Sequence, residues 1–165
     1  PQPARSADKN NEPMSAPATD PLQAVLDEAR GMLEENAPLD QIVDRVWFAF
    51  AFHTQTPFYR HGLVPFVARL YEKHKDGGGR DSVPHCMLLL GRVFSARGEY
   101  LPACRFYLLA RRTFKSEHGI IAMEFFREEL RSEGGRAQVE MTKAEFEERY
   151  AADTPQALVL EYCSE

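Results

Sequence analysis

Across residues 84–115 the chain reads PHCMLLLGRVFSARGEYLPACRFYLLARRTFK, and small residues recur in it at helical spacing. Leu90, Gly91 and Phe94 share one face of a first helix, and Ala103, Tyr107 and Ala110 follow at steps of four and three on a second. Arg97-Gly98-Glu99 is the turn between them. Small side chains at Gly91, Ala103 and Ala110 let two helix backbones approach closely, while Phe94, Tyr100 and Tyr107 fill the space around them. Such a stretch has few options other than an antiparallel helical hairpin.

That alternation of small and large residues resembles the tetratricopeptide (TPR) repeat, a helix-turn-helix of about 34 residues. The leucine-glycine pair, the Gly-Glu-Tyr turn and both alanines match, while Met87 stands at the usual tryptophan and Lys115 near the usual closing proline. The pentatricopeptide (PPR) plan shares the glycine-to-alanine spacing from Gly98 to Ala103, and Gly91 favours the TPR version. The resemblance covers about a fifth of the chain and implies a fold more than an activity. One such unit cannot bury its own face, so neighbouring helix pairs must complete the core.

The remaining segments supply those pairs. Asp20-Pro21 starts a helix whose stripe is Leu22, Val25, Leu26, Ala29, Met32 and Leu33, ending at Asn36 and Pro38. A second is expected over residues 39–55, with Ile42, Val43, Val46, Trp47 and Phe50 on its main face and Phe48 and Phe52 on another. The run WFAFAF also alternates with period two, which makes a strand the competing reading. Thr56-Pro57 opens a third helix, interrupted near Gly62 and restarted at Pro65; Gly77-Gly78-Gly79 ends it, and Asp81 or Ser82 caps the next. Beyond the hairpin, a helix from Ser116 or Glu117 carries Ile120, Ile121, Phe125, Phe126 and Leu130 until Gly134-Gly135 breaks it. Thr142-Lys143-Ala144-Glu145 is a capping box, and Asp153-Thr154-Pro155 starts a last helix through Leu158, Leu160 and Tyr162. The expected fold is all-α: a short right-handed stack of antiparallel helical hairpins with seven or eight helices, forming one domain over residues 21–165.

Residues 1–20 hold four prolines and almost nothing apolar. Alone, such a segment cannot offset its ordering entropy, so it is expected to be disordered or extended on a partner. Pro1 in place of methionine fits initiator loss, a scar of expression, or removal of an organellar presequence. No apolar run approaches the ~20 residues that cross a bilayer. Three unevenly spaced cysteines, Cys86, Cys104 and Cys163, point to buried thiols in a reducing, intracellular compartment.

Charge is unevenly spread beneath a net value of −5. Residues 1–59 balance at −5, residues 60–115 at +7 and residues 116–165 at −7. A basic centre favours an anionic partner, unless the blocks neutralise one another within the fold.

Catalytic patterns are weak. None of His53, His61, His74, His85 and His118 lies three or four residues from another histidine, so no helical metal-ligand pair forms. His85 and Cys86 are adjacent and point about 100° apart on a helix. Residues 75–80 (KDGGGR) follow a helix and lack the Gly-Lys-Ser/Thr of a phosphate loop. Glu128-Glu129 and Glu147-Glu148 read as solvated helix exteriors. No cofactor or metal is expected.

Binding is the better expectation. The TPR resemblance implies a partner groove lined by the first helix of each hairpin, here Leu88, Arg92 and Ser95; the lysine-asparagine clamp of chaperone-binding members is missing at these turns. Outward on the second helix, Arg105, Arg111, Arg112 and Lys115 form a basic strip suited to an acidic surface or phosphates. In size and helical organisation the chain is similar to small helical-repeat accessory subunits on the catalytic head of mitochondrial ATP synthase in some unicellular eukaryotes. This implies a non-catalytic subunit docked through its tail and one face, in the mitochondrial matrix. The alternatives are a soluble adaptor gripping a peptide in its groove and a PPR-type RNA binder. The sequence pI of 5.6 and the single clear repeat weigh against RNA.

Overall fold

The computed structural model describes residues 21–50, 62–75, 82–113 and 117–164. Among them lie nine α-helices and no strand: α1 Pro21–Glu34, α2 Leu39–Phe50, α3 Leu63–His74, α4 Ser82–Ala96, α5 Tyr100–Thr113, α6 Glu117–Arg131, α7 Glu133–Val139, α8 Lys143–Arg149 and α9 Pro155–Tyr162. WFAFAF is thus helical at least as far as Phe50.

Helix α4 is the centre. It packs on α2, α3, α5 and α6, and its interface with α5 is the most extensive in the fold. Every residue from Pro84 to Phe94 is consequently buried, as expected of a helix with an apolar character on almost all sides. The α4–α5 hairpin closes where Gly98 takes φ 77°, a left-handed conformation that favours glycine. The Gly98 and Glu99 amides then donate to the carbonyls of Ser95 and Phe94, each at 2.9 Å. Gln138 of α7 secures the turn from outside, donating to the Gly98 carbonyl and accepting from the Tyr100 amide, both at 2.8 Å. The α1–α2 connection uses Asn36 at φ 59° in the same way, with the Ala37 amide returning to the Met32 carbonyl at 2.9 Å.

Gly91, Ala103 and Ala110 are all buried between α4 and α5. A methyl group at Gly91 would come within 2.5 Å of the Tyr107 ring, so the close approach depends on its absence. One apolar cluster runs from Leu26 in α1 to Cys163 beyond α9 and includes Trp47, Phe50, Phe94, Phe106, Phe126 and Phe146.

Several expectations change. Gly134-Gly135 does not end a helix but lies inside α7, which makes the described helices nine where seven or eight were expected. The chain breaks at Ser132, whose hydroxyl donates to the Glu129 carbonyl at 2.7 Å and accepts from the Gly135 amide at 2.9 Å. Both glycines answer to packing: a side chain at Gly134 would strike the Tyr100 ring, and one at Gly135 the Glu129 carbonyl. Phe48 does not form a second buried face; it is 78% exposed, while Trp47 and Phe50 are buried. Ile120 is likewise 62% exposed, on the outer side of α6. The Thr142–Glu145 capping box is present, and Thr154 caps α9 through the Ala157 amide at 3.2 Å. Residues 1–20, the Thr56-Pro57 start, Phe52, the three glycines 77–79 and Lys115 lie outside the described residues.

Candidate functional site

Four arginines were marked by the sequence, and the fold gives them four different surroundings. Arg92 projects from α4 into the interior, where it is 9% exposed. Its Nη1 donates to the Tyr107 hydroxyl at 3.3 Å, and its guanidinium stacks 4.1 Å from the Phe125 ring centre. Tyr107 in turn donates to Glu129 Oε2 of α6 at 3.5 Å. Burial raises the Glu129 carboxyl pKa; the Ser95 hydroxyl, Arg92 and Tyr107 pull it back down, while Glu128 pushes it up. Burial also pushes the Tyr107 phenol up. Arg92, Tyr107 and Glu129 are therefore linked through the phenol hydroxyl across three helices, a buried hydrogen-bonded network.

The sequence reading sets Glu128 and Glu129 together on a solvated face, whereas in the fold only Glu128 is exposed and Glu129 is buried. The signal was present. Ala122, Phe126 and Glu129 fall at i, i+4 and i+7, which places the carboxylate on the apolar stripe of α6. Leu88 and Arg92 therefore do not line an open groove: Leu88 is fully buried and Arg92 is covered by α6, with Ser95 half-buried beside it.

Arg105 points the other way, onto the C-terminal helices. Its Nε and Nη2 grip both Asp153 oxygens at 2.9 and 2.8 Å, and Nη1 reaches Glu161 at 3.2 Å and the Tyr162 hydroxyl at 3.0 Å. The ring of Tyr150 lies 4.5 Å beneath it. The Asp153 hydrogen bond holds Arg105 still more firmly protonated than usual, against the opposing effect of burial. Two turns further along the same face, Arg112 donates to the carbonyls of Ala151 at 2.6 Å and Asp153 at 2.7 Å. These two arginines close the α8–α9 connection onto α5. They belong to the fold and do not form a free strip.

Arg111 is left outside, exposed on α5. It borders an open groove of about 520 Å³ between α5, α6 and α8, together with Arg112, Arg127 and Lys143, over a floor that includes Leu108 and Met123. The carboxylate on its rim is Glu147, paired with Lys143 at 3.0 Å. Among the described residues Arg111 and Arg127 make no ion pair. The sequence showed Arg111 but not Arg127, because Arg127 sits in an acidic stretch and joins the basic side only through the α5–α6 packing.

The three thiols are buried. Burial, with a smaller contribution from Asp40, pushes Cys86 up to about 12; burial and Glu129 push Cys104 up as well. Buried thiols of this kind pack as small apolar side chains. His85 is buried against Trp47, with Nδ1 3.4 Å from Asp44. Among the described residues no group of three His, Cys, Asp or Glu side chains could hold a metal ion, and no helix is long and apolar enough to cross a membrane. No family model matches the chain, and comparison with curated proteins and with solved structures found no match.

Proposed function

We propose that this chain is a non-catalytic, helical-repeat interaction subunit that docks onto a larger protein assembly. The observation that carries this reading is the division of labour among its cations. Arg92 and Arg105 are consumed by internal side chains and Arg112, at the groove's edge, is anchored on backbone carbonyls, whereas Arg111 and Arg127 face the open groove with no ion pair among the described residues. Ionisable groups with strongly shifted pKa values are normally sought in clefts as candidates for catalysis. Here Cys86, Cys104, Tyr107 and Glu129 are instead enclosed in the core, where burial favours their neutral forms.

The most specific form of the proposal is an accessory subunit on the catalytic head of a mitochondrial ATP synthase, contacted through residues 1–20 and one face of the helices. Size and helical organisation support it. A peptide-gripping adaptor of the TPR type has less in its favour, since Leu88 and Arg92 are covered by the chain itself.

The test is native purification of the tagged chain from its own cells under gentle conditions. Comigration with a larger assembly in fixed stoichiometry is expected, and with the ATP synthase head in the specific form. Recovery as a lone monomer would overturn the subunit reading, as would turnover of a substrate by the purified chain.

A further inference from the structure

We infer that the groove between α5, α6 and α8 takes an acidic peptide segment of a partner protein, with an apolar side chain seated between its carboxylates. This rests on the interaction reading and names the partner's chemistry at one site. Among the described residues four cations border the groove against one carboxylate, in a chain whose net charge is −5. Glu147 is already matched by Lys143 at 3.0 Å, so the excess positive charge comes from Arg111, Arg112 and Arg127; Arg112 is anchored on backbone carbonyls, which leaves the side chains of Arg111 and Arg127, on separate helices, to meet a ligand. Bringing like charges to one cleft is unfavourable unless a counter-charge enters, and a carboxylate accepting guanidinium hydrogen bonds is such a partner.

Size and floor argue for a peptide over an ion or a nucleic acid. At about 520 Å³ the groove lies within the range of about 300–1,000 Å³ typical of ligand clefts, larger than a single anion requires. Leu108 and Met123, 4% and 7% exposed, form a narrow apolar strip at its base, and methionine adapts readily to varied apolar side chains. Single-stranded nucleic acid is held by aromatic platforms as well as cations, and none of the described lining residues is aromatic. This face is distinct from the covered one at Leu88 and Arg92.

The full chain is titrated by fluorescence anisotropy with a short labelled peptide alternating Glu and Leu, alongside its Gln/Leu counterpart, a Glu-only peptide and an oligouridine RNA. Binding is expected for the Glu/Leu peptide, weakening with salt, weaker for the Glu-only peptide and lost for Gln/Leu. Combining Arg111→Glu with Arg127→Glu should weaken it at least about tenfold with the far-UV circular dichroism unchanged. Arg69→Glu, at an exposed position on α3, should leave it intact. If the double reversal does not fold, Arg111→Gln with Arg127→Gln serves in its place. Equal binding by the variant and the wild type, equal or tighter binding of RNA, or no preference for the leucines would each overturn the inference. Failure here beside intact comigration with an assembly removes the groove and leaves the subunit reading. Peptide binding by a chain that purifies as a lone monomer does the reverse.

Discussion

Replacing Gly91 by alanine should destabilise the chain even though alanine is the better helix former. In the interior of an exposed helix the exchange is favourable by about 1 kcal/mol. At Gly91 the new methyl would meet Tyr107 Cδ1 at 2.5 Å and Cζ at 3.1 Å, on an interface where neither helix can retreat. The ring is fully buried, and its hydroxyl is held at one end by Arg92 at 3.3 Å and by Glu129 at 3.5 Å. Overpacking of this kind costs about 1–3 kcal/mol. If the ring moves aside, its two hydrogen bonds lengthen, and leaving a buried polar group unsatisfied costs about 1–3 kcal/mol more. Set against the propensity gain of about 1 kcal/mol, the net loss is about 1–5 kcal/mol. Gly31 in α1 is the internal control: an added methyl there meets nothing within 4 Å, so Gly31→Ala should gain about 0.5–1 kcal/mol. Urea unfolding followed by circular dichroism reads both. With about 2–4 °C per kcal/mol for a chain of this size, the melting temperatures should move in opposite directions. Stabilisation by Gly91→Ala would refute the close-approach argument, and with it the packing on which the α4–α5 hairpin is built.

Two further substitutions probe the polar clusters. Arg105→Ala leaves Asp153, whose side chain is 12% exposed, without its bidentate partner, and should cost about 2–4 kcal/mol in urea unfolding, against less than about 1 kcal/mol for Arg45→Ala at the exposed pair with Glu28; equal losses would refute the enclosure of the Arg105 pair. For Glu129, burial raises the folded pKa above the ordinary 4.5, so the folded chain binds this proton more tightly than the unfolded one. That stabilisation is complete below about 4.5 and is lost as pH rises through the folded value, so wild type should lose stability relative to Glu129→Gln over this window; a constant difference in urea midpoints across pH would refute it.

The local signals for most helices could be read directly. Proline at Pro21 and Pro155, the Thr142–Glu145 capping box, and glycine at position 98 each force a local geometry whatever the tertiary context. Gly134 and Gly135 misled because a glycine between helical runs has two physical meanings. One is a break; the other is room for a neighbour, here the Glu129 carbonyl across the turn at Ser132 and the Tyr100 ring, which is distant in sequence. The same limit applies to charge. Arg105, Arg111 and Arg112 resemble one another in sequence, and only the position of α8 and α9 separates those enclosed from the one left outside. Arg127 entered the candidate groove by tertiary packing alone, amid an acidic segment that argued the other way.

Helical geometry explains how one element can serve both fold and partner. At about 100° per residue, Arg112 returns to within about 20° of Arg105, while Ala103, Tyr107 and Ala110 lie about 140–200° away on the opposite side of α5. The first face receives the C-terminal helices, and the second receives α4. Arg111 falls about 120° from Arg105, between those faces, where neither neighbour covers it. Its charge is thereby uncoupled from the core: a change there alters what the groove attracts without loosening the α4–α5 interface or releasing Asp153. Arg105 has the converse position, with its guanidinium spent on Asp153, Glu161 and Tyr162 and none of it directed at the groove. Arg105 and Arg111 thus stand apart on α5: the first holds the C-terminal segment and the second is exposed at the groove, so a change at Arg111 leaves the Asp153 contacts of Arg105 in place.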